Sequence, residues 1–168
     1  MAGTIQADSI TNSAGTGAPN FPNGATGVAV NSEIILNTQA GYGSTGTKVI
    51  YYTNVEATSG TDLTYTPSSV NGDSITINTA GVYCVSCCSQ FSGSANAGVS
   101  KNASSTSTAL NSLANAQILM AVGITNSAQT EYSTTQYFAA GTVLRVQTDG
   151  TTLVTASAFL RFRVCKIV

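Results

Sequence analysis

The sequence predicts an all-β fold, an antiparallel β-sandwich of jelly-roll type preceded by an extended N-terminal arm. Three observations carry that expectation. Short runs rich in β-branched and aromatic residues recur along most of the 168 residues, several alternating apolar and polar side chains with the period of a strand. Turn dipeptides such as Asn71-Gly72, Ala140-Gly141 and Asp149-Gly150 separate several of these runs. Roughly eight such runs at short spacing match a sandwich rather than alternating strands and helices.

The first 32 residues stand apart. Ile5, Ile10 and Phe21 are isolated among Gly, Pro, Asn and Ser. Pro19 and Pro22, with Gly15, Gly17, Gly24 and Gly27, forbid a helix and interrupt any strand. Such a segment cannot bury enough of itself to fold alone. A bare linker has no use for spaced Ile and Phe, so residues 1–32 are expected to form an arm that lies on another surface. Its anchoring residues are Ile5, Ile10, Pro19, Phe21 and Pro22.

Residues 33–168 are expected to be the jelly roll. Glu33 to Asn37 is short and apolar and leads into the Gly-rich stretch Ala40 to Gly46. Lys48 to Tyr52 is β-branched and aromatic; Asp73 to Asn78 alternates after the Asn71-Gly72 turn. Val82 to Phe91 alternates again, with Tyr83, Val85, Cys87 and Phe91 on one parity, and Tyr83, Val85 and Cys87 are expected in the core. Gln117 to Ile124, Tyr132 to Phe138, Thr142 to Thr148 and Ala158 to Ile167 complete the series, the last adding Leu160 and Phe162 to the core. Thr108 to Ala116 places Leu110, Leu113 and Ala114 at helical spacing, so a turn or two of helix competes there with a loop.

Composition excludes several function classes. Charged residues are only 8% of the chain, against about 25% in ordinary soluble domains, and the formal net charge is -1. Without a basic run, broad binding to nucleic-acid phosphates is not expected. Hydrophobic residues make up 42%, enough for a core. No apolar stretch approaches the roughly 18 residues of a membrane span. The opening MAGTIQADSI has neither a basic start nor an apolar segment, so synthesis in the cytoplasm without a signal peptide is expected. The chain has no His, so no Ser-His, Cys-His or zinc-His arrangement forms within it. It also has no Trp, a residue suited to stacking on sugars.

The motifs favour structure over chemistry. Gly41-Tyr42-Gly43-Ser44-Thr45-Gly46 matches the dinucleotide-binding spacing, but that site needs a helix N-terminus after it, and a strand-like run follows. Cys84-Val85-Ser86-Cys87 is a CxxC lying in a predicted strand rather than at a helix start. Cys84 and Cys88 would be about 13 Å apart on a strand rising about 3.3 Å per residue, too far to bridge. The four cysteines therefore read as reduced, small apolar fillers, with pairing of Cys165 to Cys84 or Cys88 across adjacent strands left open. Asn102-Ala103-Ser104 is a glycosylation sequon that means nothing without secretion. Asp62, Asp73, Glu131 and Asp149 are scattered and offer neither an acid/base pair nor a calcium loop. The expectation is a protein that is not an enzyme and needs no metal or cofactor.

Several short patterns then agree in order with a known superfamily. Thr47 to Val55, Leu63 to Pro67, and Asp73 to Ser86 with its Ala80-Gly81-Val82-Tyr83-Cys84-Val85-Ser86 core resemble the C1q/tumour-necrosis-factor-like jelly roll. Val99-Ser100-Lys101-Asn102 resembles its "l-x-K-N-G" corner, Ala139 to Val146 its "L-x-x-G-D-x-V-x-L" strand, and Ala158 to Phe162 its closing strand. The resemblance covers roughly residues 46 to 168 and implies a homotrimer packed through apolar and aromatic side chains. Thr142 stands where that family usually has Asp, and no collagen-like stalk is present, which argues against a secreted C1q-type ligand.

Ala2 to Gly24 is similar to the opening segments of tailed-bacteriophage virion proteins, tail-fibre and head-decoration polypeptides whose short arms attach a β-rich domain to the particle. The resemblance implies a structural virion protein. The leading expectation is a capsid decoration subunit (cement or head-fibre type) that binds the major capsid protein or another virion protein through its arm. Three arms on one trimer would multiply a weak contact. The alternative is a tail-fibre or receptor-binding tip that recognises a host surface glycan.

Overall fold

The computed structural model describes residues 32–44, 46–125, 128–150 and 160–168; the arm residues Ile5, Ile10, Pro19, Phe21 and Pro22 lie outside them. Among the described residues the strands are β1 (Glu33–Tyr42), β2 (Ile50–Ser59), β3 (Leu63–Thr66), β4 (Ser74–Ile77), β5 (Gly81–Gln90), β6 (Ala95–Lys101), β7 (Ile118–Ile124), β8 (Gln129–Phe138), β9 (Val143–Thr148) and β10 (Arg161–Lys166). They form two five-stranded sheets, ordered β2-β1-β10-β5-β8 and β3-β4-β9-β6-β7. Every pairing is antiparallel. The fold is an all-β sandwich of jelly-roll topology.

The core lies between the sheets. Ile34, Leu36, Tyr83, Val85, Cys87, Phe162 and Val164 descend from the first sheet onto Ile75, Ile77, Val99, Leu144 and Val146 of the second. Tyr52 stacks on Phe162 with ring centroids 6.4 Å apart, and Tyr83 meets Phe138 edge-on at 6.2 Å. Leu160 is also fully buried. A smaller cluster of Phe91, Ala95, Ala97 and Ile124 closes one end.

The structure moves several expected boundaries. β1 does not stop at Asn37; it runs through Gln39 into the Gly-rich stretch. A register shift between Gln39 and Gly41 absorbs the irregularity, and Gly41 sits at φ +138, a conformation other residues rarely adopt. β2 begins at Ile50 rather than Lys48 and extends through the polar run to Ser59. Among the described residues it is an edge strand paired only with β1, and its second half is exposed and shows no alternation. β6 was not expected as a strand. Its Ala, Gly, Asn and Ser residues have low strand propensity, and pairing with β7 and β9 on both sides holds it. In place of one helix over 108–116 there are two separate 3₁₀ turns, Leu110–Ser112 and Asn115–Gln117, with Leu113 and Ala114 extended between them. Leu110 covers Gly98 on the outer face of β6, where an added Cβ would lie 2.9 Å from Leu110 Cδ2.

Candidate functional site

Strand directions give the sandwich two distinct ends. Ser32, the β2–β3 and β8–β9 turns and the end of β10 share one end. Tyr42, the β5–β6 turn and Asp149-Gly150 share the other.

At the first end the chain before β1 is tied down by a three-residue cluster. Ser32 is 1% exposed. Its hydroxyl donates to Asp62 Oδ2 at 2.7 Å and accepts from the Asp62 N–H at 3.0 Å. Lys166 Nζ approaches Asp62 Oδ1 at 3.0 Å, and the Lys166 N–H donates to the Ser32 carbonyl at 2.8 Å. These hydrogen bonds, from Ser32 first, then Thr79 and Lys166, lower the Asp62 carboxyl to about 2. This cluster was not identified from sequence, and no local signal marks it, because its members lie 30 and 104 residues apart.

Among the described residues β7 pairs only with β6 and β8 only with β5, so both are edge strands on one flank of the sandwich. The inward side chains of β5 are buried, whereas Leu119, Met120 and Val122 of β7 and Tyr132 of β8 are only half-buried against the core. Tyr137, on the opposite parity of β8 from the core residues Tyr132 and Phe138, stands 66% exposed on the outer face. An apolar strand with an open edge is a pairing hazard unless something covers it.

The outer face of the first sheet carries a shallow groove of about 400 Å³ lined by Ile35, Ser86, Cys88, Glu131, Arg161 and Arg163. Its guanidiniums are engaged: Arg161 with Glu56 at 3.0 Å and Arg163 with Glu33.

The expected core and acidic residues can now be placed. Tyr83, Val85, Cys87, Leu160 and Phe162 are all buried. Cys87 lies among hydroxyls, 3.9 Å from Tyr52 Oη and 3.5 Å from Ser89 Oγ, while Ser89 Oγ lies 3.3 Å from Tyr132 Oη. Burial pushes the Cys87 thiol up to about 11. Cys84, Cys87 and Cys88 all fall within β5, and all four thiols are free. The scattered acids serve the scaffold. Asp73 accepts from the N–H groups of Tyr52 and Ser68 and from the Tyr65 hydroxyl, each at 2.8 Å. Desolvation nevertheless raises its carboxyl. Asp149 accepts from the N–H and side-chain amide of Asn96 at 2.6 Å and from Asn111 at 3.0 Å. Among the described residues no cluster of three or more His, Cys, Asp and Glu could hold a metal. Thr142, at the position where the resembled family has Asp, donates to the Ala139 carbonyl at 2.8 Å and closes the β8–β9 turn. Asn102 takes φ 49 at the end of β6, and its side-chain oxygen accepts from the Val143 N–H at 2.8 Å.

This sandwich superimposes on known jelly rolls. Crystal structures of murine APRIL at pH 8.0 and pH 8.5 match it with TM-score 0.60 and 12% identity, over 82% of this chain and 99% of theirs. The pH 5.0 crystal structure of murine APRIL matches with TM-score 0.53 and 13% identity over the same shares. The fold is a tumour-necrosis-factor-like jelly roll. No protein-family model matches the chain, and no curated protein matches it in sequence. At this identity the likeness concerns the fold alone.

Proposed function

We propose that the chain is a non-enzymatic structural virion protein of a tailed phage, a capsid decoration subunit whose arm binds the particle and whose jelly roll projects from it as a homotrimer. The observation that carries this reading is the fixed root of the arm. Ser32 is held by Asp62 and Lys166 at one end of the sandwich, opposite the Asp149 end, which offers an arm a firm point of attachment. The similarity of Ala2 to Gly24 to virion-protein openings supplies the surface to which such an arm attaches. The half-buried apolar side chains on the edge strands β7 and β8 support self-association, since a second copy packed on that flank would cover them.

Each of Ile5, Ile10 and Phe21 could bury apolar surface worth roughly 1.5–3 kcal/mol on a capsid. Ordering a Gly-rich segment offsets much of that gain, so one arm binds weakly and three bind by avidity. The test is deletion of residues 1–24. The truncated protein should remain a folded trimer with unchanged melting behaviour and fail to bind undecorated particles. Full decoration by the truncated protein would give the contact to the jelly roll instead. Binding of either form to intact host cells but not to capsids would favour the receptor-binding tip.

A further inference from the structure

We propose that Cys84 and Cys165 form a redox staple, closing to a disulfide between β5 and β10 when the protein meets an oxidising low-molecular-weight disulfide. The strand register carries the assignment. Cys165 is paired directly with Cys84, in a ladder that also pairs Val164 with Val85 and Phe162 with Cys87. Val85, Cys87, Phe162 and Val164 point into the core, so by alternation Cys84 and Cys165 share the outer face. Directly opposed residues of an antiparallel pair have Cα atoms about 4.5–5.5 Å apart, within the roughly 4.4–6.8 Å that a disulfide spans.

The same register excludes the other partners. Cys87 is turned into the sandwich, and Cys88 lies a full strand segment away from Cys84, beside Arg161 in the outer groove. Cys84 is half-buried and reachable from solvent, whereas Cys165 is only 9% exposed. Attack therefore begins at Cys84. Its thiol loses a proton and the sulfur attacks one sulfur of the small disulfide, expelling the other half as a thiolate. Cys165, deprotonated in turn, attacks Cys84 Sγ in the mixed disulfide and expels the second half. The protein has lost two hydrogens, and the small disulfide has become two thiols.

The staple would sit where it matters for the last strand. Glu33 faces Cys165 from the other side, on β1, and the next residue, Lys166, holds Ser32. Oxidation would thus tie β10 to β5 in the row beside the arm root. It would also close the long loop from residue 84 to 165, which restricts the unfolded chain. The inference stands on register alone and does not depend on the proposed virion role.

The experiment incubates the full chain with oxidised glutathione, then maps linked peptides by mass and counts thiols after denaturation. The expected result is one Cys84–Cys165 linkage, a fall from four free thiols to two, and a higher melting temperature that a reducing dithiol reverses. Cys84→Ser, Cys84→Ala and Cys165→Ser should each lose the linkage and the rise, and Cys88→Ser should keep both. Four thiols surviving conditions that oxidise a control dithiol would overturn the proposal. So would a linkage through Cys88, a cross-link between chains, or stable glutathione adducts on Cys84 and Cys165.

Discussion

Ser32 and Lys166 meet across the carboxylate of Asp62, the hydroxyl 2.7 Å from one oxygen and the ammonium 3.0 Å from the other. Because these partners lower the Asp62 carboxyl to about 2, its ionised form is favoured in the folded protein. The stability it adds is complete above the ordinary value of 3.8 and is lost as pH falls through about 2. Asp62→Asn should therefore lower the melting temperature at neutral pH and lose that penalty at pH 2. A pH series of thermal melts on both proteins checks this.

Asp73 should behave with the opposite sign. Burial raises its carboxyl, so the stability tied to its proton is present below the ordinary 3.8 and is lost as pH rises through the raised folded value. Asp73→Asn also leaves one of the N–H groups of Tyr52 and Ser68 without its acceptor, at a cost of about 1–3 kcal/mol. Denaturant melts should find that penalty largest in acid and smaller near neutrality. A penalty that grows with pH would reverse the assignment.

The hydroxyls around Cys87 change what a substitution there costs. Sequence alone suggests that serine would be buried without partners, at about 1–3 kcal/mol. With Tyr52 Oη and Ser89 Oγ at hand, Cys87→Ser should cost only about 1 kcal/mol. Cys87→Ala removes the sulfur and its contacts and should cost about 2–3 kcal/mol. Urea unfolding of both variants gives the comparison, and equal costs would remove the network from the account.

Gly98 of β6 is paired with Ala121 of β7. A Cβ built there would fall 2.0 Å from the Met120 carbonyl oxygen and 2.9 Å from Leu110. Gly98→Ala must push the backbone of the edge strand, at a cost of about 3 kcal/mol. Chemical denaturation measures it, and a cost under half of that would mean β7 shifts freely.

Tyr137 tests the flank without touching the core. It is 66% exposed on β8, so Tyr137→Arg should leave the melting temperature of the dissociated protein nearly unchanged. Sedimentation at micromolar concentration should find self-association weakened by that charge. Unaltered association would move the interface off this edge.

The parts legible in the sequence are those where burial and alternation coincide. β5 is buried on one parity from Tyr83 to Phe91, and its period of two is visible residue by residue. β6 was not legible, because Gly98 and Ser100 sit on an outer face that Leu110 and the adjoining loop cover, so both parities are buried and the residues are small. The polar half of β2 failed for the reverse reason, since neither of its faces is covered. The arm-root cluster was illegible in principle: Asp62 and Lys166 are brought together only by the order β2-β1-β10. That Cys165 lies opposite Cys84 rather than Cys88 is fixed only by the register of β10 on β5.

The position of β1 inside its sheet, between β2 and β10, bears on how the molecule would respond to tension. A pull on Ser32 along the strand axis loads the ladders to both neighbours in parallel, so many hydrogen bonds must shear together before β1 moves. An edge strand pulled from one end would instead peel, one bond after another. A load drawn along the strand from Ser32 against the rest of the sandwich thus meets two ladders at once, where the same load on β2 or β8 would meet one.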